Sequence, residues 1–388
     1  MLRYFTAGES HGEALVAFIS GLPAGLKVEQ AFLDYELWRR QQGYGRGGRM
    51  KIERDTAHIV SGVRQAQTIG SPIAILLENK DWKNWQESLP VAEGDPAKHR
   101  RVGSPRPGHA DLAGALKYNF PEARYVLERA SARESAARVA IGALAKLFLG
   151  ELGIEVASHV IGVGAVSISE NEIPWEKING LREKQEILLN CAEAEAELRM
   201  KEEVDKVLKT GDSVGGVFEV VAHNVPAGLG TYAQWDERLD GLLAGAVMSL
   251  QAVKAVEIGT GIVAASSPGS SVHDEIGYGA ASGFTRTRNN AGGIEGGVSN
   301  GQDIRVRGYL KPISTLRRPL QSVDFATREP VKAAYERSDV CVVPAAGVGA
   351  EAMVALTLAR CALAKFGGDS MTETLRNFHG YCQQLKNY

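Results

Sequence analysis

Cysteine is scarce in this 388-residue chain: Cys191, Cys341, Cys361 and Cys382 lie far apart. No CxxC pair or Cys/His cluster offers a metal site, and the spacing offers no disulfide framework. Reduced thiols in a reducing compartment are expected. No apolar run approaches the roughly 18 residues a membrane helix needs. The first residues, MLRYFTAGESHG, lack the apolar stretch and cleavage site of a secretory leader. These absences predict a cytoplasmic protein without metal or membrane contact. No GxGxxG leads from a strand into a helix and no GxxxxGK[ST] occurs, so Rossmann and P-loop sites fail at the level of motif. Charge of one sign is lacking too. Lys and Arg number 44 against 46 Asp and Glu, a net of −2, which provides no general field for nucleic acid.

What the chain does have is arginine in concentrated runs. Residues 39 to 54 carry Arg39, Arg40, Arg46, Arg49, Lys51 and Arg54 against Glu53 alone, and residues 98 to 106 carry Lys98, Arg100, Arg101 and Arg106 with no acid between. A near-neutral protein with clustered guanidinium groups suggests one compact anion site, although a basic run also serves as solvated surface. Glycine is high at 44 of 388 residues, about 11% against a usual ~7%. The excess sits in GYGRGG, GDSVGG, NNAGGIEGG and PAAGVGAE, where it allows tight turns and close approach to a ligand.

Periodicity predicts a helix over 28–42, strands near 52–63 and 72–77, and a helix after Ser131-Ala132-Arg133-Glu134, which fits the capping box S-x-x-E. Strands are expected over 154–168, exposed helices over 175–209, and a strand over 214–223. A helix should open at Asp236. In the strand 303–311, Ile304, Val306 and Leu310 face one way while Arg305, Arg307, Tyr309 and Lys311 face the other. An apolar helix should fill 350–365. The irregular mixture favours an α+β fold.

Seven local patterns carry the chemistry: TAGESHG (6–12), RRQQGYGRGGRM (39–50), SPRPGHAD (104–111), ERASARES (128–135), RTRNNAGGIEGGVSNG (286–301), KPISTL (311–316) and ERSD (336–339). In this order they resemble the chorismate synthase family, over roughly residues 1 to 360. The resemblance implies a single catalytic domain over 1–388, with helices sandwiched between antiparallel β-sheets and a charged, peripheral helical segment at about 170–212. It implies a homotetramer. It also implies a lyase that removes phosphate and the C6 proton from 5-enolpyruvylshikimate 3-phosphate, giving chorismate with no net redox change. Reduced flavin mononucleotide (FMN) is the implied cofactor.

The substrate's phosphate and two carboxylates, with the flavin phosphate, call for several cations. Guanidinium suits them because its planar fork donates two hydrogen bonds at once. By resemblance Arg40, Arg46, Arg49, Arg106, Arg133 and Arg337 would clamp these anions, with Ser10 beside them. His11 would protonate the departing phosphate, and imidazolium can do so near neutral pH. His109 would face the flavin ring, and Asp339 would act as a proton relay. Ser131, Ala132, Arg133, Gln251, Ala252 and Gly296 would bind the flavin, together with Lys311, Pro312, Ile313, Ser314, Thr315 and Arg337. Ser131 sits at a helix start, where free N–H groups favour anions.

Other readings stand beside these. His109 is also a turn histidine next to Asp111, Arg337 and Asp339 also fit a structural ion pair, and Gln251 also fits a core amide. A flavin-dependent NADPH oxidoreductase would use the same flavin contacts. Arg40 and Arg46 are equally candidates for an NADP phosphate, so the chain would reduce its flavin with NADPH or depend on an external flavin reductase. A lone RGG is a poor nucleic-acid element without the repeats that usually accompany it.

Overall fold

The computed structural model of the chain describes every residue except 48–53, 170, 171, 281, 337 and 338. Strands β1 (Arg3–Ala7) and β2 (Ala14–Ser20) form an antiparallel pair, with Phe5 opposite Phe18. Helix α1 (Gln30–Gln41) follows. Strands β3 (His58–Ile59) and β4 (Ile73–Glu78) complete a four-stranded sheet of order β1-β2-β4-β3. The alternation that predicted β4 puts one face in the core. Leu15, Ala17 and Ile19 lie opposite Leu77, Ile75 and Ile73, and all six are buried. Within the predicted strand 52–63, residues 52 and 53 lie outside the described residues, and β3 is only two residues long.

Two short helices, α2 (Asp111–Tyr118) and α3 (Arg124–Ala130), lead into α4 (Ser135–Glu151). A second antiparallel sheet takes β5 (Glu155–Val163) and β6 (Val166–Ser167). Helices α5 (Trp175–Asn179) and α6 (Ala194–Thr210) come next, then β7 (Gly216–His223). After α7 (Leu239–Met248) come β8 (Val253–Ile258) and β9 (Ile304–Leu310), which give the sheet the order β8-β9-β7-β5-β6. The chain closes with α8 (Val343–Phe366) and α9 (Met371–Lys386).

Helices α4 and α8 form the layer between the sheets: α4 packs on β2 and β4, α8 packs on β5 and β7, and the two pack on each other. This is the expected α+β sandwich. The helices meet at Gly142, where a Cβ would stand 2.3 Å from the Cβ of Ala352. Only glycine permits that approach. The apolar runs of α8 are continuous because it is buried nearly all round. The expectation that no apolar stretch could span a bilayer is corrected here. By length and composition α8 could, but 78% of its most apolar window is buried, as befits a core helix.

The exposed helices expected over 175–209 are also corrected. Ile173, Trp175 and Ile178 pack with Ala157 and Val221 on the outer face of the large sheet, and Ala196, Met200 and Val204 of α6 join the main core. The helix predicted from Asp236 starts at Leu239, after a short 3-10 turn at Trp235–Glu237.

Candidate active site

The loop between β1 and β2 carries His11, and α3 carries its partner. The His11 Nδ1–H donates to Glu128 Oε1 at 2.9 Å, and the His11 backbone N–H donates to Glu128 Oε2 at 2.8 Å. Ser10 is buried, and its backbone N–H donates to the Glu128 carbonyl at 3.0 Å. A carboxylate can only accept, so Nδ1 carries the proton. Burial would raise the Glu128 pKa, but hydrogen bonds and charge from His11, helped by Arg124, outweigh it and hold the carboxyl below its ordinary range. Arg124 also reaches Glu336 at 3.1 Å, which ties α3 to the ERSD segment.

The SPRPGHAD and KPISTL loops lie together. Arg106 donates from Nε to Asp111 Oδ2 at 2.8 Å and from Nη1 to Thr315 Oγ1 at 2.9 Å. His109 donates from Nδ1 to Asp111 Oδ1 at 2.5 Å. Burial would raise the pKa of Asp111, but the bonds from His109 and Arg106 outweigh it and hold the carboxyl far below the usual range. Lys311 donates to the Gly108 carbonyl at 2.8 Å and to Ser314 Oγ at 3.1 Å. Burial, and then the charge of Lys254, push its pKa down. Pro312 and Ile313 continue this loop, and the Ile313 carbonyl accepts from Ser213.

A third group centres on Asp55. Arg133 Nη1 lies 2.5 Å from Asp55 Oδ2, and Arg40 Nη1 lies 3.7 Å from the same oxygen. Arg40 also donates to Ser135 Oγ at 2.8 Å and to the Ala132 carbonyl at 2.9 Å. In the fourth group Arg46 Nη1 stands 3.2 Å from Asp339 Oδ2, and the Gly47 N–H donates to Asp339 Oδ1 at 2.6 Å. Arg49 and Arg337 lie outside the described residues.

Backbone and side-chain contacts link the groups. Glu128 and residues 132–135 belong to one turn-helix unit, and Glu336 and Asp339 to one segment. Ala334 N–H donates to the Ser104 carbonyl at 3.4 Å, and Ser322 Oγ–H donates to that of Pro105 at 2.5 Å. His11, Arg46, Arg106, His109 and Asp339 therefore sit on loops that brace one another.

One sequence expectation changes. Ser131 accepts from the Arg133 N–H at 3.3 Å, but Glu134 does not close a capping box. Glu134 instead accepts from Thr6, Arg138 and Gln251. Gln251 is thus half-buried beside the site, and its neighbour Ala252 has a left-handed φ of 70° while its carbonyl accepts from the Lys311 N–H. Arg305 and Arg307, which share the strand face of Lys311, both pair with Glu219 at 2.8 Å, and Arg305 also donates to the Ile173 carbonyl. Gly296 turns a hairpin whose neighbour Gly297 meets the start of α7. Gln251 follows the other end of α7, and ten residues span roughly 15 Å.

Sequence reasoning passed over Trp85 and Asp55. Trp85 stacks on His11 with ring centroids 3.9 Å apart. Asp55 closes the basic run at 39–54 and could have been suspected as its counter-charge. Nothing local marks Trp85.

The family model described as chorismate synthase matches residues 2–363. The chain belongs to the chorismate synthase family. It is 73% identical to a chorismate synthase of Koribacter versatilis and 68% identical to one of Acidobacterium capsulatum, with both chains covered fully in each case. A crystal structure of chorismate synthase, 40% identical, superposes with a TM-score of 0.79 over 100% of this chain and 99% of that one. The activity is accordingly that of a carbon–oxygen lyase forming chorismate and phosphate from 5-enolpyruvylshikimate 3-phosphate. The alternative of a net NADPH oxidoreductase finds no support.

Proposed function

We propose that the braced loops form one site where 5-enolpyruvylshikimate 3-phosphate lies against reduced FMN, and that the chain acts as a single catalytic unit. The observation that carries this reading is the His11–Glu128 pair, linked through Arg124 to Glu336, three positions before Asp339, which pairs with Arg46. Arg40, Arg46, Arg49, Arg106, Arg133 and Arg337 are the proposed clamps, with Ser10 beside them. Arg40, Arg46, Arg106 and Arg133 are set in place by carboxylates or carbonyls rather than left to wander, which lowers the entropy lost on binding an anion.

The residues present suit a flavin. Lys311 uses two of its three N–H donors on the protein, and the nearby positive charge of Lys254 disfavours its protonated form. An anion between them would relieve that repulsion. Ser131, Ala132, Gln251, Ala252, Ser314, Thr315 and the adjoining backbone are the proposed flavin contacts, with Gly296 more distant. Reduced flavin supplies electron density that helps phosphate leave. The protein's own part is to hold the substrate, donate a proton from His11 to the leaving phosphate, keep His109 oriented through Asp111, and present Asp339 as the proton-handling carboxylate. An imidazolium beside a bound dianion is favoured by its charge.

We also propose a cytoplasmic homotetramer. The four thiols are free, in keeping with a reducing compartment. Exposed Tyr232, Trp235, Tyr278 and Phe284 support burial against other copies. An anaerobic assay with chemically reduced FMN tests the activity: chorismate and phosphate should appear in equal amounts with the flavin still reduced. Repeating it in air with NADPH and no reductase separates self-sufficient reduction from dependence on an external flavin reductase. Sedimentation velocity tests the tetramer.

A further inference from the structure

We infer that Arg124 is a positioning residue that couples the His11 loop to the ERSD segment, an inference that rests on the proton-handling roles proposed above for His11 and Asp339. One guanidinium meets three parts of the chain at once. Its Nη1 donates to Glu128 Oε1 at 3.3 Å, its Nη2 donates to Glu336 Oε1 at 3.1 Å, and its Nε donates to the Arg100 carbonyl at 2.6 Å. Arg124 is 3% exposed. The Glu128 oxygen that it meets is the one that accepts from His11 Nδ1 at 2.9 Å. Three positions beyond Glu336, Asp339 pairs with Arg46. The His11 pair and the segment that carries Asp339 thus share one buried cation.

The backbone under this cation is held as well. The Arg124 N–H donates to Glu122 Oε2 at 3.0 Å, and the same oxygen accepts from the Val102 N–H at 2.7 Å. Glu122 therefore ties the start of α3 to the segment that leads into SPRPGHAD. An ion pair within α3 would need only Arg124 and Glu128, which stand one helical turn apart. The guanidinium instead divides its donors between two acids, the second of them 212 positions away in sequence. A planar fork holds its donors at fixed angles, so the place of one carboxylate sets the place of the other. The sharing is electrical too. Removing the charge of Glu336 leaves the guanidinium drawn to Glu128 alone, and Glu128 then becomes a weaker acceptor for His11. Sequence gives neither Arg124 nor Glu336 a role, and the first residue of ERSD acquires one as the far end of this bridge.

The test is a double-mutant cycle in the anaerobic assay with reduced FMN, using Arg124→Lys, Arg124→Gln and Glu336→Gln in the full-length chain. Lysine keeps the charge but cannot present a fork to two acids and a carbonyl. Arg124→Gln is expected to lower kcat by roughly 10²-fold, the scale of a small misplacement of reacting groups, and Arg124→Lys by about 10-fold. In the Glu336→Gln background Arg124→Gln should cost less than about a third of its factor in the wild type, because one of its two links is already cut. NMR of the His11 ring in histidine-labelled protein, assigned by its loss in His11→Ala, gives a readout that packing alone does not move. Glu336→Gln should shift the Nδ1–H proton upfield in the wild type and leave it in place in Arg124→Gln. Wild-type turnover in Arg124→Lys, equal losses from Arg124→Gln with and without Glu336, or a His11 signal that ignores Glu336→Gln overturns the inference. Wild-type turnover in His11→Ala removes the proton-donor role instead, and the ring signal then still decides whether Arg124 couples the two segments. Should Arg124→Gln fail to fold, Arg124→Lys takes its place in the cycle and in the NMR comparison.

Discussion

Arg39 joins α1 to α8 inside the helix layer by donating from Nη1 and Nη2 to the two oxygens of Glu351, at 2.7 and 2.8 Å. Both side chains are almost wholly buried. Lys146 of α4 pairs with Glu351 and Glu36, and Ser158 of β5 donates to Glu351. Glu36 also pairs with Arg182 at 3.7 Å, so two buried acids face Arg39, Lys146 and the part-exposed Arg182. Arg40, the next residue on α1, reaches Asp55, Ser135 and the Ala132 carbonyl instead, so the network holds the helix end from which the proposed anion clamp projects.

Breaking one partner of a buried pair leaves an uncompensated charge, at a cost of about 3–5 kcal/mol. Glu351→Gln should destabilise by an amount in that range in urea unfolding. Adding Lys146→Met removes the buried base that lost this carboxylate and should recover more than half of the loss. A double variant as unstable as the sum of its singles would show that the charges do not act as a unit.

Stability should also depend on acid through the sheet network. Glu219 is buried, which would raise its pKa, but bonds from His159 and the charges of Arg305 and Arg307 bring it to about 2 from the ordinary 4.5. A carboxyl with a lowered folded pKa contributes stability that is complete above the ordinary value and is lost as pH falls toward the folded one. Unfolding free energy should therefore drop between about pH 4.5 and 2, and Glu219→Gln should flatten that part of the curve while lowering the plateau at neutral pH. Chemical denaturation across pH 6 to 3 measures it.

Much of this architecture was legible because burial on one face leaves a period in the sequence. Ile73, Ile75 and Leu77 alternate since only one side of β4 meets the core, and α8 reads as apolar because it meets core almost everywhere. The burial within 175–209 was not legible because its buried residues, such as Trp175 and Ile178, are sparse among charges. Arginines at the site were legible by type, but their partners were not. Asp55 reaches Arg133 across 78 positions, and Trp85 meets His11 from a loop without a chemical signature. The capping box failed because distant Thr6 and Gln251, with Arg138 one helical turn on, outcompete the local backbone for Glu134.

Asp111 offers a graded prediction. It holds His109 and Arg106 at once. Asp111→Asn keeps the shape but offers a weaker acceptor to His109 and to the guanidinium. Deleting the His109 imidazole removes its whole contribution, and losing only its orientation should cost less. Turnover of Asp111→Asn should accordingly fall between that of the wild type and that of His109→Ala. A value below His109→Ala would mean that Asp111 acts chiefly through Arg106.

Lys311 allows flavin binding to be tested apart from turnover. A hydrogen bond to a charged group is worth roughly 1.5–3 kcal/mol, or about 10- to 150-fold in Kd. Lys311→Ala should weaken FMN binding by that factor in a fluorescence titration, and added salt should narrow the gap. Exposed Lys209→Ala on α6 serves as the control and should bind normally. Burial and Lys254 lower the Lys311 pKa, and only the protonated ammonium attracts phosphate. Wild-type affinity should therefore decline as pH rises, starting below the range where an ordinary lysine titrates, and Lys254→Ala should move that decline to higher pH. An unchanged midpoint in Lys254→Ala would show that the two ammonium groups do not share an anion.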